Sequence, residues 1–381
     1  MRIRITDTGD PRVSTLNKTS RERESASGEG RTVAITSREV AKLAGVSQAT
    51  VSRVLHDHPG VHPEIRERVQ RVLAQTQYQP NAMARAMKTS QTGSVGVVVA
   101  RLSNPLYPAL LQVIGAALAR SKLRMVVWDS EHGGEQPASI ALRQGIVDGV
   151  LLTTAKADSP LLREAADARV PVVLVNRTVD GAACDQVSSD NVAGGASVAR
   201  YLIACGRHRI AMIGGHGEAS TIRDRERGFR QALEASGRPL DYANYAQVDT
   251  FSHETGRAAV QRLLELAHAP DAVFCTNDVI ALGAIDGARA RGVRIPEDLW
   301  VVGYDDIEMA SWGAYDLTTV RQPLDEMVGL AVGHLRSRIR GEVFAPVRDC
   351  LPNGLVIRGS TARTPMPAEA QCGPRHSGEH A

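Results

Sequence analysis

The amino-terminal part of the chain shows the apolar spacing of short helices. From residue 36 to about 75, apolar residues recur every three or four positions in brief segments. Thr36 or Ser37 is suited to cap the first helix, and Ser47 caps a second over QATVSRVL. Pro63 lies in the first turn of a third helix. The pattern predicts a small all-α module.

A different rhythm begins near residue 93, where β-branched apolar runs alternate with helical stretches. The predicted strands are SVGVVVA (94–100), RMVVW (124–128), DGVLLT (148–153), VPVVLV (170–175), RIAMIG (209–214), AVFCT (272–276) and LWVVGY (299–304). Alternation of this kind predicts parallel sheets with helices on both faces. Seven or more strand–helix units divide better into two sheets than one.

These patterns divide the chain into five segments. Residues 36–80 are predicted to form the all-α domain, and residues 81–92 are predicted to connect it to the body. Residues 93–362 form the α/β body. The polar, aperiodic segments 1–35 and 363–381 are predicted to be a disordered arm and a disordered tail.

Charge is unevenly distributed along the 381 residues, although the net charge is only +3. Residues 36–90 contain eight basic and four acidic side chains, a net charge of +4. Residues 1–35 contribute +2, so the remaining residues carry −3. A basic module on a mildly acidic body is the charge distribution expected of a DNA-binding protein.

Cysteine usage and hydropathy argue against several classes of protein. The five cysteines show neither CxxC nor metal-ligand spacing, which predicts reduced thiols and no metal or cofactor. No apolar run reaches the roughly 18 residues of a membrane span. The amino terminus has basic residues but lacks the apolar core of a signal peptide, so we expect a cytoplasmic protein that associates with the nucleoid when bound to DNA.

The segment TSREVAKLAGVSQATVSRVLH carries the most specific signal. Ala41 is small where two helices would cross, Gly45 supplies the turn, and Val51 fills the angle between the helices. The remaining predicted core residues are Val40, Leu43, Val46, Val54 and Leu55. The hydroxyl groups predicted to contact phosphates belong to Ser47, Thr50 and Ser52. We therefore expect a helix-turn-helix that binds DNA.

This segment, together with YQPNAMARAMK and with RGST at 358–361, resembles the LacI/GalR family of bacterial regulators. The resemblance implies that Gln48, Ala49 and Arg53 read bases. Their chemistry agrees, since Arg53 can pair with guanine, Gln48 with adenine, and Ala49 can touch a thymine methyl group. Two alternatives stay open: Arg53 contacts only phosphate, and Ala49 merely gives the backbone clearance.

The resemblance also implies that residues 81–92 are a hinge helix and linker, with the helix in PNAMARAMK folding in the minor groove of the operator. Asn81 would cap it and is also a DNA-contact candidate, and Ala84 would let two hinge helices approach. Met87 stands where the family wedges a leucine into the central base step, and Lys88 is a further DNA-contact candidate. A helix this short is marginal alone, so its folding is expected to act as the switch.

For the body, the resemblance implies a periplasmic-binding-protein-like fold of two doubly wound lobes joined by three crossovers. The first lobe is predicted at about 93–189 plus 321–349. The second lobe is predicted at about 190–320 plus 350–362. Ligands of such sheets bind beyond the carboxyl ends of the strands, here in the cleft between lobes.

Three side chains stand where the family grips its effector: Arg225, Asn277 and Asp305. We expect all three to lie just after a strand or at a helix start. An arginine, an amide and a carboxylate suit the hydroxyl groups of a sugar, and Tyr107 offers an aromatic face. The alternatives are helix capping for Asn277 and Asp305 and a structural ion pair for Arg225. Asp278 and Asp306 look more like caps.

Two departures from the family pattern bear on the effector. Arg101 stands where the family often has an acidic or small polar residue, and Asn176-Arg177 replaces a frequent Asp-Arg pair. A cationic cleft mouth would favour an acidic or phosphorylated sugar, which we keep as a hypothesis.

The sequence therefore predicts a sequence-specific transcriptional regulator, a repressor, that binds a palindromic operator as a homodimer under the control of a carbohydrate effector. A transport-associated sugar-binding protein would need export. That class of protein would also leave unexplained the basic helix-turn-helix domain at residues 36–80, which we call the headpiece. An enzyme is disfavoured because IGGHGE lacks the spacing of a phosphate-binding loop and no GxSxG, HExxH or zinc pattern occurs.

Overall fold

The computed structural model describes residues 35–78, 91–156, 158–163, 171–215 and 217–361. It divides the chain into two compact units, Met1–Asn81 and Ala82–Ala381. Residues 1–34 of the predicted arm (1–35), residues 81–90 of the predicted hinge and linker (81–92), and the whole predicted tail (363–381) lie outside the described residues.

Within residues 35–78 the smaller unit contains three helices: α1 (Ser37–Ala44), α2 (Gln48–Leu55) and α3 (Pro63–Thr76). The side chain of Thr36 caps α1, and Glu39 completes a capping box by accepting from the Thr36 backbone. Gly45 ends the helix at φ 63°, a left-handed conformation that glycine adopts without strain. Ser47 then caps α2 by accepting from Thr50 N, as the sequence predicts.

A small apolar core holds these helices together. Its buried members are Val40, Ala41, Ala44, Val51, Val54, Val61 and Val69. The prediction that Leu43 belongs to this core is wrong, because its side chain is 61% exposed. At about 100° per residue, Leu43 points more than a quarter-turn away from the helix face that Val40, Ala41 and Ala44 share.

Two six-stranded sheets form the larger unit, with strand orders β11-β5-β4-β3-β1-β2 and β12-β10-β9-β8-β6-β7. The first sheet contains β1 (Ser94–Val99), β2 (Arg124–Asp129), β3 (Gly149–Leu152), β4 (Val172–Val175), β5 (Asp185–Ser189) and β11 (Arg348–Leu351). The second contains β6 (Ile210–Gly215), β7 (Tyr245–Val248), β8 (Ala272–Cys275), β9 (Trp300–Asp305), β10 (Thr318–Arg321) and β12 (Gly354–Val356). All pairings are parallel except that of β10 with β12.

Helices cover both sheets, as alternation in the sequence predicts. The described helices of this unit are α4 (Leu106–Arg120), α5 (Glu135–Arg143), α6 (Asn191–Ala204), α7 (Ser220–Ala235), α8 (His253–Leu264), α9 (Asp278–Arg289) and α10 (Leu324–Ile339). Separate apolar cores lie under them, since α4 and α10 pack on the first sheet and α8 and α9 on the second. We call the two sheets with their helices the first and second lobes.

The chain passes between the lobes three times, after β5, after β10 and after β11. This is the doubly wound, two-lobed architecture that the resemblance implies. The last two crossings follow Arg321 and Leu351, which are one and two residues beyond the predicted lobe boundaries.

Glycines allow α6 and α7 to cross at backbone contact. A Cβ on Gly195 would collide with the carbonyl oxygen of Arg225, and one on Gly228 would collide with that of Val192. Because Arg225 lines the cleft described below, the small residues at this crossing fix the position of a candidate site residue.

Gly195→Ala is therefore expected to destabilise the protein by about 1–3 kcal/mol, because overpacking a helix crossing forces the backbones apart. Gly333→Ala on α10 is the matched control, since a Cβ there meets nothing within 4 Å. That control should be neutral or stabilising by up to about 1 kcal/mol. Thermal unfolding of both variants checks the prediction, and equal melting temperatures would contradict it.

Candidate functional site

The exposed side of α2 carries the predicted base-reading residues. Gln48, Ala49 and Arg53 are all exposed, and the Arg53 side chain makes no hydrogen bond or ion pair within the described residues. The Gln48 amide instead donates to Ser37 Oγ at 2.6 Å, so it would exchange this bond for one to a base. An unpaired arginine on an exposed helix is free to contact nucleic acid.

The three predicted phosphate-binding hydroxyl groups lie on or beside the same helix. Ser52 is exposed, whereas Ser47 Oγ and Thr50 Oγ1 are hydrogen-bonded to each other at 2.9 Å at the start of α2. Ser47 Oγ also accepts from the Thr50 backbone, so it is engaged in capping. The predicted hinge contacts Asn81, Met87 and Lys88 lie outside the described residues.

The smaller unit carries several exposed basic side chains. Within its described residues, the exposed cations without an ion pair are Arg38, Lys42, Arg53 and Arg68. Arg66 and Arg71 are instead paired with Asp57 and Glu67. The unpaired charges give the unit the electrostatic attraction to phosphate that DNA binding requires.

The four predicted effector residues line one cavity of about 260 Å³ between the two lobes. Tyr107 enters from α4 of the first lobe, and Arg225 enters from α7 of the second. Asn277 precedes α9, and Asp305 is the last residue of β9. The carboxyl ends of parallel strands thus bring Asn277 and Asp305 together, as the topology predicts.

Arg225 is the centre of a buried polar network in the second lobe. Its guanidinium donates to Asn191 Oδ1 at 2.9 Å, to the Thr276 carbonyl at 2.7 Å and to Asp305 Oδ1 at 2.9 Å. It also lies 3.6 Å from the centroid of the Tyr304 ring. The prediction that Arg225 lies just after a strand or at a helix start is wrong, because it occupies the second turn of α7.

Asp305 and Asn277 have different structural partners. Asp305 Oδ1 accepts from Arg225 and from Gln322 Nε2, the latter at 2.7 Å, and it caps no helix. Its φ of 118° is a conformation that costs about 1–3 kcal/mol in a residue other than glycine. Asn277 does cap a helix, since its Oδ1 accepts from Ile280 N. The cavity wall is therefore built from groups that also hold the second lobe together.

Asp278 and Asp306 do not cap helices, which corrects the sequence interpretation. Asp278 is fully buried and accepts from Thr319 Oγ1 at 2.6 Å and from Ile307 N at 2.9 Å. Asp306 pairs with Arg321 and Arg358. Burial, together with the neighbouring Asp305 carboxylate, raises the pKa of Asp278 to about 7. Asp278 therefore takes up its proton more readily in the folded than in the unfolded chain.

This raised pKa predicts a specific dependence of stability on pH. The folded state binds a proton at Asp278 that the unfolded state loses near pH 4, so the contribution of this group falls as the pH rises from about 4 to 7. In Asp278→Asn, which imitates the protonated acid, that contribution should disappear. Melting temperatures of both proteins from pH 5 to pH 8 test this, and a constant difference between them would contradict it.

Further residues line the cleft beside the four predicted effector residues. Arg101, Asn176 and Arg177, which the sequence associates with a cationic cleft mouth, are among them, and Asn176 and Arg177 directly follow β4. The Arg101 guanidinium lies 5.2 Å from the Phe251 ring centroid.

Other lining residues have no binding role predicted from the sequence. Lys156 of the first lobe pairs with Glu218 of the second at 2.9 Å. The remaining ones are Asn104, Thr221 and Asp249. Position after a strand or at a helix start is the signal that could identify such residues.

Neither a metal centre nor a membrane span is found in the described residues. No group of three or more histidine, cysteine, aspartate or glutamate side chains there is arranged to hold a metal ion. None of the helices in this part of the chain has the length and apolar character needed to cross a membrane. The four cysteines within it are free thiols.

Both structural units match families of known proteins. Residues 36–81 match the model of bacterial regulatory proteins of the lacI family, and residues 199–361 match a periplasmic binding protein-like domain. The transcriptional regulator DegA of Bacillus subtilis is 34% identical over 85% of this chain and 97% of its own length. The regulator CelR of Thermobifida fusca is 36% identical over 84% of this chain and 96% of its own length.

Solved structures show the same architecture. The Lac repressor dimer bound to operator and the anti-inducer ONPF superposes with a TM-score of 0.77 at 26% identity, covering 86% of this chain and 99% of the other. A complex of CelR with cellobiose gives a TM-score of 0.66 at 34% identity, with the same coverage. The relatives are DNA-binding transcriptional regulators and not enzymes. This chain belongs to the LacI family of bacterial transcriptional regulators.

Proposed function

We propose that this regulator is a cytoplasmic repressor that binds a palindromic operator as a homodimer and changes its operator affinity when a carbohydrate effector occupies the cleft. The observation that carries the proposal is the cavity between the lobes, into which Tyr107, Arg225, Asn277 and Asp305 all project. An effector that touches both lobes stabilises one lobe arrangement over another, and this difference is what moves an allosteric equilibrium.

At the DNA end, α2 enters the major groove and Arg53 contacts a guanine. The exposure of Gln48, Ala49 and Arg53 supports this assignment, as does the unpaired guanidinium of Arg53. Two headpieces in a symmetric dimer bind two half-sites, which makes the operator palindromic. The solved Lac repressor dimer on its operator supports the same arrangement. Asn81, Met87 and Lys88 are proposed to contact the minor groove through the hinge.

At the effector end, the chemistry of the cleft suits a polyol. The cavity walls combine a guanidinium, amides and carboxylates, which pair with vicinal hydroxyl groups, with the Tyr107 ring beside them. Related regulators have been solved with sugars bound, CelR with cellobiose and an Enterococcus faecium regulator with ribose.

A chain of hydrogen bonds leads from the effector site to the segments that join the lobes. Asp305 accepts from Gln322, and the Gln322 side chain accepts from Ser189 Oγ at 2.9 Å. Ser189 ends β5 and Gln322 follows β10, so both lie at crossovers between the lobes. We propose that effector contacts at Asp305 bias the angle between lobes through these two residues and thereby move the hinge.

Selection of bound sequences from random duplex DNA by the purified protein tests the proposal. The expected result is a palindrome of two half-sites whose binding is altered by at least one member of a sugar panel. Enrichment of DNA without any palindrome would contradict the homodimeric operator complex. Strong sugar binding without DNA binding would contradict the role as a repressor.

A further inference from the structure

One arginine in the cleft, Arg177, is buried without a counter-ion among the residues that the structure describes. Arg177 is only 9% exposed, and no carboxylate of the described residues lies within 4 Å of its guanidinium. Its guanidinium donates to two neutral acceptors, the Thr154 carbonyl at 3.3 Å and the Tyr107 hydroxyl at 3.4 Å. Both are long for hydrogen bonds, and the buried Nε has no partner. A buried charge is unfavourable in this state, which indicates that something else compensates it.

The neighbouring residue, Asn176, also has a buried polar atom without a hydrogen-bond partner. Asn176 is 3% exposed, and its Oδ1 has no hydrogen-bond partner. Both residues directly follow β4, at the carboxyl edge of the first sheet, and both line the cavity. Buried polar groups in folded proteins are nearly always satisfied. Two adjacent residues that line one cavity and each carry a buried atom without a partner therefore indicate that this wall is incomplete without a ligand.

Among the cations that line the cavity, Arg177 is the one for which the described residues provide no counter-ion. The charged residues that line it are Arg101, Lys156, Arg177, Arg225, Glu218, Asp249 and Asp305. Asp305 is bound by Arg225, and Glu218 is bound by Lys156. Asp249 already takes part in another interaction. The Arg101 Nε atom lies 3.6 Å from Oε1 of Glu131, a carboxylate that does not line this cavity. A neutral sugar would supply acceptors to Arg177 but no compensating charge.

We infer that the effector is an anionic sugar, one bearing a carboxylate or a phosphate, and that Arg177 with Asn176 binds its acidic group. The inference rests on the proposed function of the cleft as an effector site. A planar guanidinium presents paired N–H donors that match a carboxylate or a phosphate, and the Asn176 amide can accept from an adjacent hydroxyl group. The cavity is smaller than the roughly 300–1,000 Å³ of pockets for drug-sized ligands, which favours one sugar ring.

Binding of matched sugar pairs to the full-length protein tests the inference. The probes are glucose with glucose 6-phosphate, gluconate and glucuronate, ribose with ribose 5-phosphate, galactose with galacturonate, and inorganic phosphate alone. Calorimetric titration should give, for at least one pair, an acidic member that binds about tenfold or more tightly than its neutral parent. The comparison of phosphate with carboxylate members identifies which acid the site takes.

Variants at Arg177 assign the effect to the proposed group. Arg177→Gln should weaken binding of the anionic sugar by about 10- to 100-fold and should change that of the neutral parent far less. Without ligand, its melting temperature should equal or exceed that of the wild type, because a buried uncompensated charge is removed. Arg177→Lys keeps the charge but loses the planar fork, so it should bind with intermediate affinity. The control is Arg163→Gln, which removes the same charge from an exposed residue outside this cavity and should bind normally.

Three results would overturn the inference. If neutral sugars bind as tightly as their acids and Arg177→Gln has no effect, the anionic ligand is wrong while the proposed function stands. If Arg177→Gln lowers the melting temperature without ligand and Arg177→Lys restores it, the guanidinium is structural. If no sugar of either kind binds or alters operator affinity, the carbohydrate-responsive function fails, and the inference fails with it.

Discussion

Replacing Asp305 with alanine is expected to lower the free energy of unfolding of the larger unit by about 3–5 kcal/mol. The substitution leaves the guanidinium of Arg225 buried without its counter-ion, since the side chains of the pair are only 3% and 2% exposed. It also removes the acceptor of Gln322 Nε2, so a second buried donor loses its partner. The response of operator binding to effector should be lost as well, because the same carboxylate lines the cavity.

Urea unfolding of the single and double variants measures this cost. In the Arg225→Met/Asp305→Ala double variant the orphaned charge is absent, so the double should cost less than the sum of the singles. Neither single variant alters the headpiece, so both should still bind nonspecific DNA at permissive temperature. Additive costs would mean that the two charges do not depend on each other, and a normal effector response in Asp305→Ala would place the site elsewhere.

Arg53→Ala is expected to abolish operator preference while leaving weak, salt-sensitive DNA binding. One bidentate contact to guanine provides about 1–3 kcal/mol of discrimination, and a dimer makes it twice, so the loss should be about 2–6 kcal/mol. The residual binding comes from phosphate contacts, which carry no sequence information. The exposed Arg53 has no partner in the described part of the smaller unit, so its removal should leave the headpiece folded.

Arg68→Ala on α3 provides the control, because it removes another exposed, unpaired arginine from the same unit. Fluorescence anisotropy with operator and scrambled duplexes, at several salt concentrations, separates the two kinds of contact. Arg68→Ala should preserve the ratio of the two affinities. If Arg53→Ala also preserves that ratio, Arg53 contacts phosphate and does not read a base.

Most of the fold could be predicted from the sequence, because the apolar runs that form strands are recognisable within single segments. All seven predicted apolar strands occur in the two sheets. The five strands that were not predicted are short, and β5, with the sequence DQVSS, is fully buried although mostly polar. Its burial depends on distant partners, since Arg338 pairs with Asp185 and Gln322 binds Ser189. Such contacts cannot be inferred from periodicity within one segment.

In the candidate site, too, local sequence signals identify some residues, whereas others depend on three-dimensional contacts. Asn277 and Asp305 were identified because they end strands, and the topology brings strand ends together. Arg225 was placed at a helix start, whereas only the crossing of α6 and α7 at Gly195 and Gly228 explains how the second turn of α7 reaches the cavity. The isolation of Arg177 is a three-dimensional property, because it depends on which carboxylates lie near and no spacing encodes it.

The measurement that tests the central claim most directly is a reciprocal titration. Operator affinity is measured by anisotropy with and without the tightest-binding sugar of the panel, and sugar affinity is measured with and without operator. Each ligand is expected to change the affinity of the other by the same factor, of about 5- to 150-fold. A sugar that binds the cleft and leaves operator affinity unchanged would contradict this expectation.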